Sequence, residues 1–398
     1  MINGLDLYKE EWNIETENAI KPGLDAIGSA LEELGNPHRQ GRFVHIAGTN
    51  GKGSTAALLS AVLRVHGKTV GTFYSPGIID LHDQIQVDAE PILQKALDRV
   101  MGELAGVKTA LTDFELLTAA AFLHFRNAAP DIVIIEAGMG GRFDSTNVID
   151  PEIAIIPSIS KEHTNFLGDQ IEDIAFHKAG IIKKWRPVIA GPIEERAMAV
   201  IRQEAKLKHA ELLVPACPHE GEMKLKGAHQ KWNAQLALEA AKELLQLEFQ
   251  PQLAQKALSM AELAYRFETA APGLVFDGAH NEASIDALVE TIRSEFPEKH
   301  VRIVLGMLSD KAYERVLRQL ETVSDDFVFV DFSNARALPA EKLFFASNSK
   351  IKTTKNLYDI LPVTEKNAVT IVTGSLYLLS AMRKPGIPFL RDYQNVTS

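Results

Sequence analysis

The chain has 398 residues, of which 46% are hydrophobic and 24% charged, with a formal net charge of −10. That length exceeds one ordinary core and implies two domains, and the composition is that of a folded enzyme rather than a disordered chain. The negative balance argues against nucleic acid or anionic lipid as a partner, no run of eighteen apolar residues offers a membrane span, and a single cysteine, Cys217, excludes an internal disulfide or a cysteine-built metal site.

Met1 to Trp12 carry Asp6, Lys9, Glu10 and Glu11 where a signal peptide needs an apolar core, so the expected location is the cytoplasm. Residues 43–48 are apolar and β-prone and run into a glycine-rich turn. A helical stretch over 54–66 follows, with Ala56, Leu58, Leu59, Ala61, Val62 and Leu63 on its buried side. A strand over 69–74 and helices near 91–102 and 113–127 come next. Residues 131–138 are a continuous apolar run ending in one acid, the pattern of a strand covered on both faces. Further strands are expected over 153–158 and 187–191, separated by a helix over 171–184. This alternation predicts an α/β fold with a mainly parallel sheet. A long helical region over 232–263 leads to 264–273, where Ala270-Ala271-Pro272-Gly273 reads as a linker. Strands over 274–276, 301–305, 327–332 and 369–372, with helices including 311–323 and 376–383, make a second, smaller α/β unit. The predicted division is 1–263, a linker at 264–273, and 274–398.

The strongest single feature is Gly48-Thr49-Asn50-Gly51-Lys52-Gly53-Ser54-Thr55, set between a buried strand and a helix. Phosphate oxygens need several converging backbone N–H groups, and glycines allow that close approach. Lys52 would neutralise the terminal phosphates, and Ser54 or Thr55 would offer a hydroxyl at the helix start. The pattern departs from a strict Walker sequence because Gly53 follows the lysine where Ser or Thr is expected. Glu136 closes the apolar strand at the sheet edge where open α/β sheets bind ligands, and beside a phosphate loop it would hold magnesium. Its structural alternative is pairing with Arg142. His163 follows a strand, and a lone loop histidine is more often structural than a ligand. Lys178 by itself reads as a solvated surface lysine. Asp277-Gly278-Ala279-His280-Asn281 ends the first strand of the second unit; it could reach a ribose and its phosphates, or form a turn built on the aspartate side chain.

Taken together, the phosphate loop, the segment 131–147 and the later Asp277–Asn281 resemble the folylpolyglutamate synthase / dihydrofolate synthase family, a branch of the Mur-type ligases. The likeness extends through Gly23-Leu24-Asp25, Leu34-Gly35-Asn36-Pro37, Phe114-Glu115-Leu116-Leu117-Thr118, Gly227-Ala228-His229-Gln230, Arg266-Phe267-Glu268, Asp310-Lys311 and Thr373-Gly374-Ser375-Leu376-Tyr377. The resemblance implies a P-loop-type domain and a Rossmann-like domain with the active site in the cleft between them. It also implies an ATP-dependent amide ligase that adds L-glutamate to dihydropteroate or tetrahydrofolate through an acyl phosphate, in folate biosynthesis and one-carbon metabolism.

The family further implies two magnesium ions. One lies near Ser54 and Glu136 with Ser75 contributing; the other is held by Glu136, His163 and a carbamylated Lys178. A protonated lysine repels magnesium, whereas adding carbon dioxide makes it an anionic oxygen ligand. Gln230, Asn233, Arg266, Asp277 and His280 would contact the nucleotide, and a monomer is implied. The chain departs from the family's usual residues at Gly77-Ile78, Asp83-Gln84, His177 and Ala312. The first two lie toward the acceptor, so the alternative expectation is a relative that joins an amino acid to a different carboxylic acid.

Overall fold

The computed structural model describes residues 2, 4–17, 22–77, 80–360 and 367–383; Ile78 lies outside them. The chain divides into two compact units. The first comprises residues 1–223 and 231–261, and the second 224–230 and 262–398. Among the described residues no helix is long and apolar enough to cross a membrane.

In the first unit the strands are β1 (Thr16–Glu17), β2 (Phe43–Ile46), β3 (Val70–Phe73), β4 (Ile85–Val87), β5 (Glu90–Pro91), β6 (Leu111–Thr112), β7 (Ile132–Glu136), β8 (Ile153–Ile156), β9 (Val188–Ala190) and β10 (Leu212–Leu213). Eight of them form one sheet in the order β10-β9-β8-β2-β7-β3-β4-β5, while β1 and β6 pair separately. From β10 to β3 the pairing is parallel; β4 and β5 add an antiparallel edge. Every residue of β2, β3, β7, β8 and β9 is buried, as expected of strands covered on both faces. Phe73, Val133 and Ile135 enter one hydrophobic core with helix Asp113–Ala128. Ala154, Ile156, Val188 and Ala190 enter another with helices Ile171–Ala179 and Glu195–Lys208.

The second unit carries β11 (Glu268–Ala271), β12 (Leu274–Phe276), β13 (His300–Leu305), β14 (Asp326–Asp331), β15 (Ile351–Asn356) and β16 (Ala368–Thr373). Their order is β11-β12-β16-β13-β14-β15, parallel except for β11. The α/β class with mainly parallel sheets is therefore as expected.

Local differences have physical causes. Residues 264–273, expected as a linker, contain β11, which pairs antiparallel with β12, and they cluster with the second unit. The helical region expected over 232–263 is two helices, Ala228–Leu245 and Pro251–Met260, because Pro251 cannot continue a helix but suits the first position of a new one. The helix expected over 171–184 stops at Ala179, with Gly180 as its cap. Glu115, one of the family-like residues, completes a capping box: its carboxylate accepts from Thr112 N at 2.8 Å.

Candidate active site

The phosphate loop joins β2 to helix Lys52–Val65, which puts it at the carboxyl edge of the sheet. Gly51 precedes the helix at φ 85°, a left-handed conformation that favours glycine. A Cβ there would also run into Asn233 Oδ1 and come within 3.2 Å of Pro157. The loop is tied to the segment after β8. Thr49 N donates to Ser158 O at 2.9 Å, Asn50 N to Ser158 Oγ at 3.0 Å, and Thr49 Oγ1 to Ser160 O at 3.0 Å. These bonds hold the loop backbone in place before any anion binds, which is the preorganisation an anion cradle needs. Ser54 and Thr55 are buried at the helix start, and Thr55 Oγ1 lies 3.5 Å from Asn233 Oδ1.

Glu136 ends β7 and is buried beside the loop. Its Oε1 lies 3.7 Å from Lys52 Nζ, and a Cβ on Gly53 would come 3.3 Å from its Oε2. The glycine that breaks the Walker pattern is therefore where the helix meets this carboxylate. Arg142, the alternative partner, is instead paired with Glu204 at 2.9 Å. Tyr74, the residue before Ser75, lies against Gly53, and its phenol is pushed up first by burial and then by the Glu136 charge.

Lys178 is not the solvated surface lysine its local sequence suggests: it is 2% exposed. Burial, and then the charge of Lys52, pushes its amine down to about 7, while Glu162 and Asp144 act in the opposite direction. His163 is held at φ 50° with Nε2 3.5 Å from Glu162 Oε1. Thus the phosphate loop, Glu136, Lys178 and Asn233 are brought together in the first unit. Glu162 and Asp144 were not anticipated. Asp144 accepts from Met139 N at 2.8 Å and Thr146 N at 3.0 Å, which orders the glycine-rich turn after β7. The signal for Glu162 was its position beside His163 just past a buried strand.

The donor set suits magnesium in part. Ser54, Ser75 and Glu136 supply oxygen and His163 supplies nitrogen, whereas a protonated Lys178 would repel a cation. Among the described residues no three His, Cys, Asp or Glu side chains are arranged to hold a metal ion. An amine near 7 is substantially neutral at physiological pH, and the neutral amine is the form that adds carbon dioxide. The resulting carbamate would supply the missing anionic oxygens, so the residues fit.

Gln230, Arg266, Asp277 and His280 lie in the second unit. Asp277 works there as a turn residue: its Oδ2 accepts from Phe267 N at 2.8 Å and its Oδ1 from Ala279 N at 2.9 Å. Burial raises its carboxyl and the Arg266 charge opposes that. His280 Nδ1 contacts Gly278 O at 2.8 Å. Nearby, burial and then Arg266 push His229 down to about 4.

Comparison with known proteins gives the same picture along the chain. Residues 46–213 match the Mur ligase middle domain, and 265–376 match the Mur ligase glutamate ligase domain. The chain is 36% identical over 410 residues to a dihydrofolate synthase/folylpolyglutamate synthase of Bacillus subtilis, covering 92% of this chain and 95% of that protein. Among solved structures, Mycobacterium tuberculosis folylpolyglutamate synthase complexed with ADP is similar with a TM-score of 0.85 at 28% identity, covering 95% of this chain and 97% of the other. E. coli FolC in complex with DHPP and ADP gives 0.84 at 26% identity, covering 94% and 95%.

Proposed function

We propose a reaction for this chain from one premise: it belongs to the folylpolyglutamate synthase / dihydrofolate synthase family of Mur ligases. It is an ATP-dependent acid–amino-acid ligase that adds L-glutamate to dihydropteroate, to tetrahydrofolate glutamates, or to both. The acceptor's carboxylate oxygen attacks the γ-phosphorus of ATP, and ADP leaves. The amino nitrogen of L-glutamate then attacks the carbonyl carbon of the acyl phosphate, inorganic phosphate departs, and the nitrogen loses a proton as the amide forms.

Such a reaction needs positioning and charge neutralisation rather than a protein nucleophile. The amides of Gly48–Thr55 cradle the phosphates, and Lys52 places a cation on them. Ser54, Ser75 and Glu136 would hold one magnesium; Glu136, His163 and a carbamylated Lys178 would hold the second. Bound there, the metals supply charge neutralisation at the transferring phosphoryl group. Asn233, Gln230, Arg266, Asp277 and His280 are nucleotide-binding residues in this reading. A cytoplasmic location belongs to the same reading, supported by the lone Cys217, and so does a monomeric state.

The observation that carries the reading is the buried Lys178, with an amine near 7, in the electrostatic reach of Lys52. The test is ADP release by purified protein with magnesium and bicarbonate. Turnover is expected only when both L-glutamate and dihydropteroate or tetrahydrofolate are present. Absence of turnover with either acceptor, with release on another carboxylic acid, would favour the second reading, a ligase for a different acid. Gly77 and Gln84 support that alternative. A Cβ at Gly77 would come 2.5 Å from Asp80 O and 2.9 Å from Gln84 Cγ, so residue 84 fills the space beside residue 77.

A further inference from the structure

Helix Ile171–Ala179 delivers Lys178 from its last turn, where the final backbone carbonyls have no partner inside the helix. The loop 141–147 supplies partners for them. Arg142 N donates to His177 O at 2.7 Å and Arg142 Nε to Phe176 O at 3.2 Å. Its guanidinium lies 4.0 Å over the Phe176 ring, and its Nη2 donates to Glu204 Oε2 at 2.9 Å. Asn147 Nδ2 donates to Arg142 O at 3.0 Å and to Gly180 O at 3.1 Å. Two glycines make the fit possible. A Cβ on Gly141 would press to 3.0 Å from His177 O and 3.1 Å from Lys178 O, and one on Gly180 would collide with the Arg142 backbone.

One residue thus bonds two consecutive carbonyls of the turn that carries Lys178, His177 O through its backbone N–H and Phe176 O through its side chain, and that side chain is braced from a second helix, Glu195–Lys208, by Glu204. The Arg142–Glu204 pair has side chains only 21% and 11% exposed, so solvent screening leaves it more strength than a surface pair has. A cation at a helix C-terminus also opposes the negative end of the helix dipole. Lysine could replace the charge of Arg142 but not its fork, which bonds Phe176 O and Glu204 together.

We propose that Arg142, braced by Glu204, is a positioning residue that fixes the last turn of this helix so that the Lys178 amine is held where it can be carbamylated and presented to the site. The inference rests on the carbamate reading above, and the experiment separates the two. Parent protein, Arg142→Lys and Glu204→Gln are equilibrated with 13C-bicarbonate, and the lysine carbamate is followed by 13C NMR alongside acceptor-dependent ADP release and thermal unfolding. Lys178→Ala marks which signal belongs to Lys178.

In the folded variants the carbamate signal should fall, and kcat at fixed bicarbonate should drop by about 10–100-fold, the usual loss when a group orienting a metal ligand is removed. ADP affinity, measured by calorimetry, should stay within about threefold of the parent. Raising bicarbonate should restore part of kcat, which a merely structural lesion would not do. Parent-like signal and parent-like bicarbonate dependence in both variants would overturn the positioning role. A parent protein with no carbamate at Lys178 would overturn the carbamate reading, and the inference with it. Should Glu204→Gln unfold, Arg142→Lys decides alone, since it keeps the charge and most of the side chain's volume.

Discussion

Lys178 in the first unit and Asp277 in the second are both ionisable groups for which desolvation is the largest influence, yet their surroundings differ. Asp277 receives two backbone N–H groups, from Phe267 and Ala279, and so ties β11 to the end of β12. Lys178 sits deep in the unit with another cation, Lys52, lowering its amine further. A carboxylate that collects backbone donors serves the fold as well as any ligand. A buried amine pushed toward neutrality, first by burial and then by a like charge, serves the fold poorly, which is the pattern of a candidate functional group. The same burial therefore has opposite meanings in the two units, and the neighbours distinguish them.

The sharpest way to break this contrast is Lys178→Ala. Turnover should fall by about a thousandfold, of the order seen when a main electrostatic contact to a transferring group is lost, and small carboxylates should restore part of it. Thermal unfolding reads two opposed effects here, relief of the buried amine and the cavity that its lost methylenes leave, so a variant that keeps the volume is the stability probe. Normal activity would end the functional assignment of Lys178. Asp277→Ala should lower stability instead. Two donors lose their acceptor, for a loss of about 1–3 kcal/mol in unfolding free energy, measured by denaturant titration. A stability unchanged from the parent would show that the turn does not depend on this side chain.

Much of this was legible in the sequence, for reasons that follow from packing. The run 132–136 is apolar on both faces, which only a covered parallel strand requires, and the glycines of 48–55 mark a turn that must approach an anion. Strand β15 was not legible, because an exposed edge strand reading Ile351-Lys352-Thr353-Thr354-Lys355-Asn356 has no hydrophobic period to betray it. Nor was β11, where Pro272 and Gly273 suggested a linker and tertiary pairing with β12 decided otherwise. At the site, the place of Glu136 at the sheet edge beside the loop lysine was readable. That Arg142 turns away from Glu136 to Glu204, on a helix over sixty residues on, needed the fold. The burial of Lys178 needed it too: Lys178 shares a buried stripe with Ile171, Ile174 and Ala175, but a lysine beside His177 reads in sequence as part of the helix's charged face.

The smallest expected effect is a slope. In carbonate-free, metal-free buffer the Lys178 amine titrates near 7 in the folded chain and near 10.5 when exposed. Between those values the unfolded chain holds a proton that the folded chain has released, so unfolding free energy rises with pH across this window. One proton corresponds to at most about 1.4 kcal/mol per pH unit. Below 7 both states are protonated and the folded chain bears the whole penalty of a buried cation. Lys178→Met removes the penalty, so it should exceed the parent in stability most clearly below pH 7, with the gap closing as pH rises toward 10.5. Asp277 tests the opposite sign: its carboxyl is raised in the fold, so the stability attached to it declines as pH climbs above its unfolded value of 3.8. Denaturant titrations of the parent and Lys178→Met at a series of pH values read the first difference directly. Parallel curves would mean that Lys178 is as well solvated as a surface lysine, and the contrast between the two units would lose its physical basis.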